Sequence, residues 1–237
     1  MAEEEAGTER AAKRARPEEE ATPAAVTLYS YWRSSCSWRV RIALNLKQVP
    51  FQYKAIHLVK DEQTNAEFKK LNPLGQVPCL IMDGFVLTQS VAIIEFLDET
   101  VQTGAPLFPK DPKQRAVVRK LVEIINSGTQ PLQNMAVLKI VEDLGGSKLS
   151  HAKTVISSGL RAFEAELATQ TRDESDFCVG PNVTAADLFL LPQVYNANRF
   201  HVDMSQFPLI SAILPRLEAL EAFDKAKPDL QPDSAGI

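Results

Sequence analysis

Apolar and polar residues alternate over short distances between residues 26 and 100, which predicts small strands and helices in turn. The predicted strands are 26–31, 51–58, 77–82 and 85–87, and the predicted helices are 38–46, 66–71 and 91–100. Asp83-Gly84 fits a two-residue turn between the last two strands. Ser90 is predicted to cap the third helix through its hydroxyl. The order β-α-β-α-β-β-α implies a parallel pair of strands beside an antiparallel hairpin edge.

The second half of the chain shows helical spacing and no strand pattern. Amphipathic stretches predict helices at 113–126, 133–144, 147–168 and 208–221. A further helix is predicted to begin at Thr184, because Thr184 and Asp187 have the spacing of a capping box. The proline-rich end from Pro228 is expected to lie over the surface.

This order predicts an α/β domain followed by an all-α domain. The predicted boundaries are a disordered tail at 1–25, the α/β domain at 26–101, a linker at 102–112 and a helical domain at 113–237. The tail has seven acidic and four basic residues and no apolar core of a secretory signal. Its Lys13-Arg14-Ala15-Arg16 cluster leaves nuclear import open as an alternative to a solvated mixed-charge tail.

Charge and cysteine content exclude several classes of protein. The formal net charge of the 237 residues is -4, and no clustered basic face suggests a nucleic-acid partner. No apolar run approaches the roughly 20 residues that cross a bilayer, so no membrane partner is predicted. Three scattered cysteines, Cys36, Cys79 and Cys178, are too few for a disulfide framework. These features predict a soluble cytoplasmic protein.

Three short motifs are candidates for chemistry, and each has a purely structural alternative. Ser34-Ser35-Cys36 falls between the first strand and the first helix, where helix amides favour a thiolate or a bound anion. The alternative is that a serine caps the helix and Cys36 only packs. Gln76-Val77-Pro78 precedes a strand, where an edge proline is the ordinary interpretation. Gln89-Ser90 begins a helix and either holds a carboxylate or only caps it.

Metal and nucleotide chemistry lack the necessary spacing. The three histidines, His57, His151 and His201, form no metal motif. Gly145-Gly146 has no accompanying phosphate-loop lysine and is predicted to end a helix. No metal is therefore predicted.

The stretch from Ser34 to Leu44, SSCSWRVRIAL, resembles the signature of the zeta-class glutathione transferases, whose members act as maleylacetoacetate isomerases. The resemblance covers about residues 26 to 235. It continues through further segments: Asn72-Pro73, Gln76-Val77-Pro78, Gln89-Ser90 with Ala92-Ile93-Ile94, Gln130-Pro131-Leu132-Gln133-Asn134, Ala186-Asp187-Leu188 and Asn198-Arg199-Phe200.

The resemblance implies a thioredoxin-like domain that binds glutathione, a helical domain that shapes the second-substrate site, and a homodimer. It implies that Ser34 steadies the glutathione thiolate, with Ser35 and Cys36 in the same catalytic loop, and that Pro78 is cis. The implied glutathione contacts come from both domains: Ser34, Ser35, Cys36, Gln63, Val77, Pro78, Gln89, Ser90, Gln130 and Asn134.

The implied activity is the conversion of maleylacetoacetate to fumarylacetoacetate in tyrosine and phenylalanine breakdown, with side activity on small α-haloacids. Glutathione adds to the cis double bond and leaves again, so it is a cofactor and is not consumed. Because the substrate is a dianion, Arg33, Arg39 and Arg199 are its candidate ligands. Two alternatives remain open: a Cys36-based thiol transferase or dehydroascorbate reductase, and a noncatalytic glutathione-binding module.

Overall fold

A four-stranded mixed sheet forms the first half of the molecule. The computed structural model describes residues 26–170 and 176–234, so the predicted tail at 1–25 lies outside the described residues. The strands are β1 (Thr27–Ser30), β2 (Gln52–Ala55), β3 (Cys79–Met82) and β4 (Phe85–Thr88), in the order β2-β1-β3-β4. β1 and β2 are parallel and the other pairs are antiparallel, which confirms the predicted topology.

Three helices accompany this sheet: α1 (Ser35–Leu46), α2 (Ala66–Leu71) and α3 (Ser90–Thr100). α1 is buried along most of its length, because α3 and helices of the second half also pack against it. Two local predictions were wrong. β2 ends at Ala55 instead of residue 58, and the cap of α3 is Gln89, so Ser90 lies in the first helical turn.

From Pro112 onward, the described residues form helices and no strands. The helices are α4 (Pro112–Asn126), α5 (Met135–Asp143), α6 (Lys148–Ala168), α7 (Ala185–Arg199), α8 (Pro208–Glu218) and α9 (Glu221–Asp224). The helix predicted at 208–221 is divided, because the chain turns at Leu220 into α9. In the described part of the chain, no helix has both the length and the apolarity needed to cross a membrane.

α7 is the central helix of the second half and packs against both α1 and α4. Its start is fixed by the predicted capping box. The Asp187 carboxylate accepts from the Thr184 amide at 2.8 Å and from the Cys178 amide at 2.9 Å. Burial raises the pKa of this carboxyl, and the hydrogen bonds from Thr184 and Cys178 oppose that effect.

Residues 102–112, the predicted linker, are held against both halves, and the contact with the second half is the Ala185 amide, which donates to the Leu107 carbonyl at 2.9 Å. Asp98 on α3 accepts hydrogen bonds from the Leu107 and Phe108 amides and forms a buried ion pair with Lys47, at 2.7 Å. Gly104 has a φ of +72°, and a Cβ there would lie 2.2 Å from the Leu46 carbonyl oxygen. The exact domain boundaries stay a prediction.

The carboxyl-terminal segment does not simply lie over the surface as predicted. Pro228 and Gln231 are buried, and Asp233 contacts the first half of the chain. The sequence pattern failed here because burial of this segment depends on partners about 200 residues away.

Candidate active site

The loop that joins β1 to α1 presents Ser34 at the start of the helix. The Ser34 amide donates to the Tyr31 carbonyl at 2.9 Å, and the Ser34 hydroxyl oxygen accepts from the Ser37 amide at 3.2 Å. Ser34 is therefore the helix cap. Capping uses a lone pair of the oxygen, so the hydroxyl proton remains available to a ligand.

The first turn of α1 favours a negative charge beside Ser34. Ser35 and Cys36 occupy this turn, and their amides have no acceptor among the described residues. Cys36 is half-buried, whereas Cys79 and Cys178 are fully buried, and burial raises the pKa of the Cys79 thiol to about 11. Cys36 is consequently the thiol with access to the solvent.

The segment before β3 presents a main chain ready to pair with a peptide. The Val77–Pro78 peptide bond is cis, as the resemblance implies. The neighbouring Gln76 carbonyl is held by the Asn72 side-chain amide at 2.7 Å. Val77 is buried, yet its amide and carbonyl form no hydrogen bond with another described residue. Because buried main-chain groups are nearly always paired, these two groups fit an extended peptide ligand.

The start of α3 has the features of a carboxylate site. Gln89 has a φ of +71° and no side-chain capping bond, so the first amides of α3 have no cap from its side chain. The buried Ser90 oxygen accepts from Arg39 Nη1 at 3.2 Å. Since that oxygen accepts from a cation, its hydroxyl proton is free to donate to an anion.

Arg39 occupies a different environment from the other two candidate arginines. It is fully buried, lies 4.1 Å from the centre of the Phe189 ring, and donates to Asn126 Oδ1 at 3.3 Å. Burial lowers the pKa of Arg39, and the nearby Cys36 and Glu123 oppose that effect. The guanidinium of Arg39 thus contacts Ser90 and is closed off from solvent.

Arg33 and Arg199 form a cationic pair between the two halves. Desolvation and then the charge of Arg33 lower the pKa of Arg199, so the two guanidinium groups repel each other electrostatically. Neither has an ion-pair partner among residues 26–170 and 176–234. Two neighbouring cations without carboxylates are suited to an anionic ligand.

The remaining candidates, Gln63, Gln130 and Asn134, form no hydrogen bond with Ser34 in the described residues. Gln63 donates to Asp61 at 3.2 Å, while its buried carbonyl oxygen has no partner. Asn134 caps α5, and Gln130 is half-buried just before it. In the described residues, no hydrogen bond connects Gln130 or Asn134 to Ser34.

The sequence pattern missed two polar residues that support this site, Asn126 and Asp233. Asn126 holds Arg39, and Asp233 accepts from the amide of Trp32, two residues before Ser34. No local signal marks either residue, because each contact joins distant parts of the chain. Among the described residues, no group of three metal-ligating side chains is present.

These groups fit three parts of glutathione. Free main-chain groups at Val77 fit its peptide, the start of α3 with Ser90 fits its γ-glutamyl carboxylate, and the Ser34 hydroxyl at the start of α1 fits its sulfur. Each assignment matches a donor or acceptor that has no other use in the described structure.

Comparison with known proteins agrees with this geometry. Residues 33–100 match the family model described as glutathione S-transferase, N-terminal domain. The chain is 46% identical to maleylacetoacetate isomerase of Dictyostelium discoideum over 212 residues, which are 87% of this chain and 95% of that one. It is 48% identical to the Mus musculus maleylacetoacetate isomerase over 209 residues, 87% of this chain and 94% of the relative.

Two solved structures show the same architecture. A bacterial zeta-class maleyl pyruvate isomerase in its holo form has a TM-score of 0.85 and 42% identity. The match covers 88% of this chain and 100% of that one. The maleylacetoacetate isomerase of Anaeromyxobacter dehalogenans 2CP-1, with glutathione in its active site, has a TM-score of 0.80 and 41% identity. The match covers 89% of this chain and 98% of that one. The chain belongs to the maleylacetoacetate isomerase family, the zeta class of the glutathione S-transferases.

Proposed function

We propose that this protein is a glutathione-dependent isomerase that converts maleylacetoacetate to fumarylacetoacetate. The observation that carries the proposal is Ser34 at the free first amides of α1, with Arg33 directly before it in the chain. The charge of Arg33 also acts on Arg199 of the helical half. A thiolate site and a dianion site are thereby adjacent. The identity to maleylacetoacetate isomerases over most of the chain supports the same activity.

Residues of the first half provide most of the contacts to glutathione. Val77 pairs with its peptide, Gln89 and Ser90 bind the γ-glutamyl end, and Gln63 is a further contact. Pro78, Ser35 and Cys36 line the same surface, and Gln130 and Asn134 approach from the second half. The free Val77 groups support this assignment, and so does the buried Gln63 oxygen, which can accept from an amide of glutathione, because neither has a partner among residues 26–170 and 176–234.

When bound, glutathione supplies a sulfur that adds reversibly to the double bond of the substrate and thereby permits rotation. The Ser34 hydroxyl donates to that sulfur and favours its ionised form. The start of α1 stabilises the same negative charge through its dipole and its free amides. Arg33 and Arg199 bind the carboxylates of the substrate and hold its double bond above the sulfur. Arg39 does not contact the substrate; it positions Ser90 by donating a hydrogen bond to its hydroxyl oxygen.

Several finer features stay predictions. The homodimer is supported by the hairpin edge, where Phe85 and Val86 on β4 are exposed and Phe85 packs on Phe96. Side activity on α-haloacids is expected because the same sulfur can displace a halide. The cytoplasmic location also stays a prediction.

Isomerisation of maleylacetone, a substrate analogue, with and without glutathione tests the proposal. Wild-type protein is expected to isomerise it only when glutathione is present. The Cys36→Ala variant is expected to retain turnover within about threefold, because the attacking sulfur belongs to glutathione and Ser34 still supplies the hydroxyl. Turnover is measured by the absorbance change of maleylacetone, with thiol transfer to a disulfide measured in parallel.

The outcomes separate the three candidate functions. Loss of all isomerisation in the Cys36→Ala variant would make Cys36 the nucleophile and favour the thiol transferase. Wild-type protein that binds immobilised glutathione but never isomerises maleylacetone would favour the noncatalytic binding module. Retained isomerisation with loss of any thiol transfer is the result that we expect.

The cationic pair provides a second test, because it is expected to act on substrate affinity. Arg33→Gln and Arg199→Gln are each expected to raise the KM for maleylacetone about tenfold or more, since a hydrogen bond to a charged group contributes about 1.5–3 kcal/mol. The KM for glutathione is expected to change less than about twofold. Steady-state kinetics with each substrate varied in turn give both constants.

Arg161→Gln is the matched control, because Arg161 is exposed on α6 and forms no ion pair among the described residues. It removes the same charge and is expected to leave both KM values unchanged. A rise in the KM for glutathione with an unchanged KM for maleylacetone would assign the pair to glutathione and contradict our proposal.

A further inference from the structure

The carboxyl-terminal segment, residues 226–234, returns from the helical half and lies against the loop that carries Ser34. Arg41 on α1 donates from Nε to the Ala226 carbonyl at 3.1 Å. Near the other end of the segment, the Asp233 carboxylate accepts from the Trp32 amide at 3.0 Å and from the Tyr53 hydroxyl at 2.7 Å. The segment therefore joins α1, β2 and the loop before Ser34.

Trp32 is fixed through both of its main-chain polar groups. Its amide donates to Asp233, and its carbonyl accepts from Arg41 Nη2 at 3.0 Å. Arg41 also donates to the Ser30 hydroxyl at 3.1 Å, which fixes the end of β1. Trp32 is followed immediately by Arg33 and Ser34, so its orientation determines where those two side chains project.

Other side chains make the hydrogen bonds within the carboxyl-terminal segment. Gln231 donates to the carbonyls of Lys225 and Lys227, at 3.1 and 2.7 Å. Ser234 donates to the carbonyl of Asp229 at 2.9 Å. The hydrogen-bond partners of the Asp233 side chain, in contrast, all lie in the first half of the chain.

The local charges also favour this contact. Arg41 is almost completely buried, and burial lowers its pKa to about 10. The nearby negative charge of Asp233 opposes this effect. Burial raises the pKa of Tyr53, so its hydroxyl keeps its proton and donates to Asp233 at neutral pH. Arg41 and Asp233 thus hold Trp32 from opposite sides with opposite charges.

We propose that Asp233 is a positioning residue of the active site, which holds the amide of Trp32 so that Ser34 and Arg33 point at the glutathione sulfur and the substrate. This inference rests on the proposed function. It assigns a role in catalysis to the carboxyl-terminal segment, which has no residue among the glutathione or substrate contacts.

Asp233→Ala is the variant that tests the inference. It is expected to lower kcat/KM for maleylacetone about tenfold, because displacement of a reacting group by even 1 Å is costly. The pKa of the bound glutathione thiol is expected to rise by about one unit, equivalent to a tenfold smaller thiolate fraction below that pKa. The ultraviolet absorbance of the thiolate, recorded against pH, measures this second effect without any substrate.

Two further variants separate positioning from charge and from general stability. Asp233→Asn is expected to retain kcat/KM within about threefold, because its amide oxygen can accept from Trp32 and its amide nitrogen can donate to the Tyr53 oxygen. Asp229→Ala removes an exposed carboxylate four residues away and is expected to change neither measurement.

The inference is overturned if folded Asp233→Ala retains both kcat/KM and the thiol pKa of the wild type. It is also overturned if that variant only lowers the melting temperature, since a purely structural contact would do so without moving the thiol pKa. If wild-type protein ionises bound glutathione but does not isomerise maleylacetone, the proposed function fails, while the thiol pKa still decides the role of Asp233.

Discussion

Replacing Ser34 by alanine is expected to lower kcat/KM for maleylacetone by about 10²–10³-fold, the usual cost of removing one donor aimed at a developing or resident negative charge. The Ser34 hydroxyl oxygen already accepts from the Ser37 amide, which leaves its proton for the glutathione sulfur. Without that donor, the pKa of bound glutathione is expected to move toward its value in solution. Thiolate absorbance and steady-state kinetics measure the two effects separately.

Ser34 is also the cap of α1, so its two roles must be distinguished. Alanine at a cap costs about 1 kcal/mol of helix stability, whereas glycine costs only a few tenths. Ser34→Gly therefore removes the hydroxyl while it preserves the helix start, and it is expected to be as inactive as Ser34→Ala. Ser34→Thr keeps both the hydroxyl and the cap and should recover most of the activity. An active Ser34→Gly variant would show that the cap, and not the hydroxyl, is what catalysis needs.

Elements with local sequence signals were predicted well. The Asp83-Gly84 turn is correct because both residues adopt positive φ, 53° and 76°, which a two-residue hairpin requires. The capping box at Thr184 is correct because its hydrogen bonds join residues three apart. In both cases the chemistry of a few neighbouring residues decides the structure, so the order of strands and helices follows from the sequence alone.

Contacts between distant residues explain the predictions that were wrong. Ser90 has the sequence context of a cap, but its oxygen is taken by Arg39, which lies 51 positions earlier. Likewise, the proline-rich end has the sequence of a surface segment, but Asp233 in it accepts a hydrogen bond from Trp32, 201 positions away. Propensity describes what a residue favours locally, and a buried long-range partner can override that preference.

The three candidate arginines show the same limit within the site. Arg33, Arg39 and Arg199 were predicted together as ligands of an anionic substrate. Helical periodicity places Arg39 in a buried stretch of α1, but only the packing of Phe189 and Asn126 around it shows that its charge is enclosed by the protein. Arg33 and Arg199, which come from the two halves of the chain, meet only once the helical half has packed against the sheet.

The largest effect on stability is expected from Asp187→Ala, which should lower the free energy of unfolding by about 3–5 kcal/mol. Asp187 is fully buried, and alanine would deprive the Thr184 and Cys178 amides of this acceptor, at a cost of about 1–3 kcal/mol for each buried group. For a chain of this size the melting temperature should fall by about 10 °C. Urea unfolding followed by circular dichroism measures the change.

Asp203→Ala is the matched control, because Asp203 also accepts from a main-chain amide, that of Ser205 at 3.1 Å, but is fully exposed. It should unfold at nearly the wild-type urea concentration. Asp187 and Arg199 lie at opposite ends of α7, about 18 Å apart at 1.5 Å per residue. The folded fraction of Asp187→Ala should therefore keep the wild-type KM for both substrates. A wild-type unfolding midpoint in Asp187→Ala would contradict the central role of the capping box, because the start of α7 would then be held by packing alone.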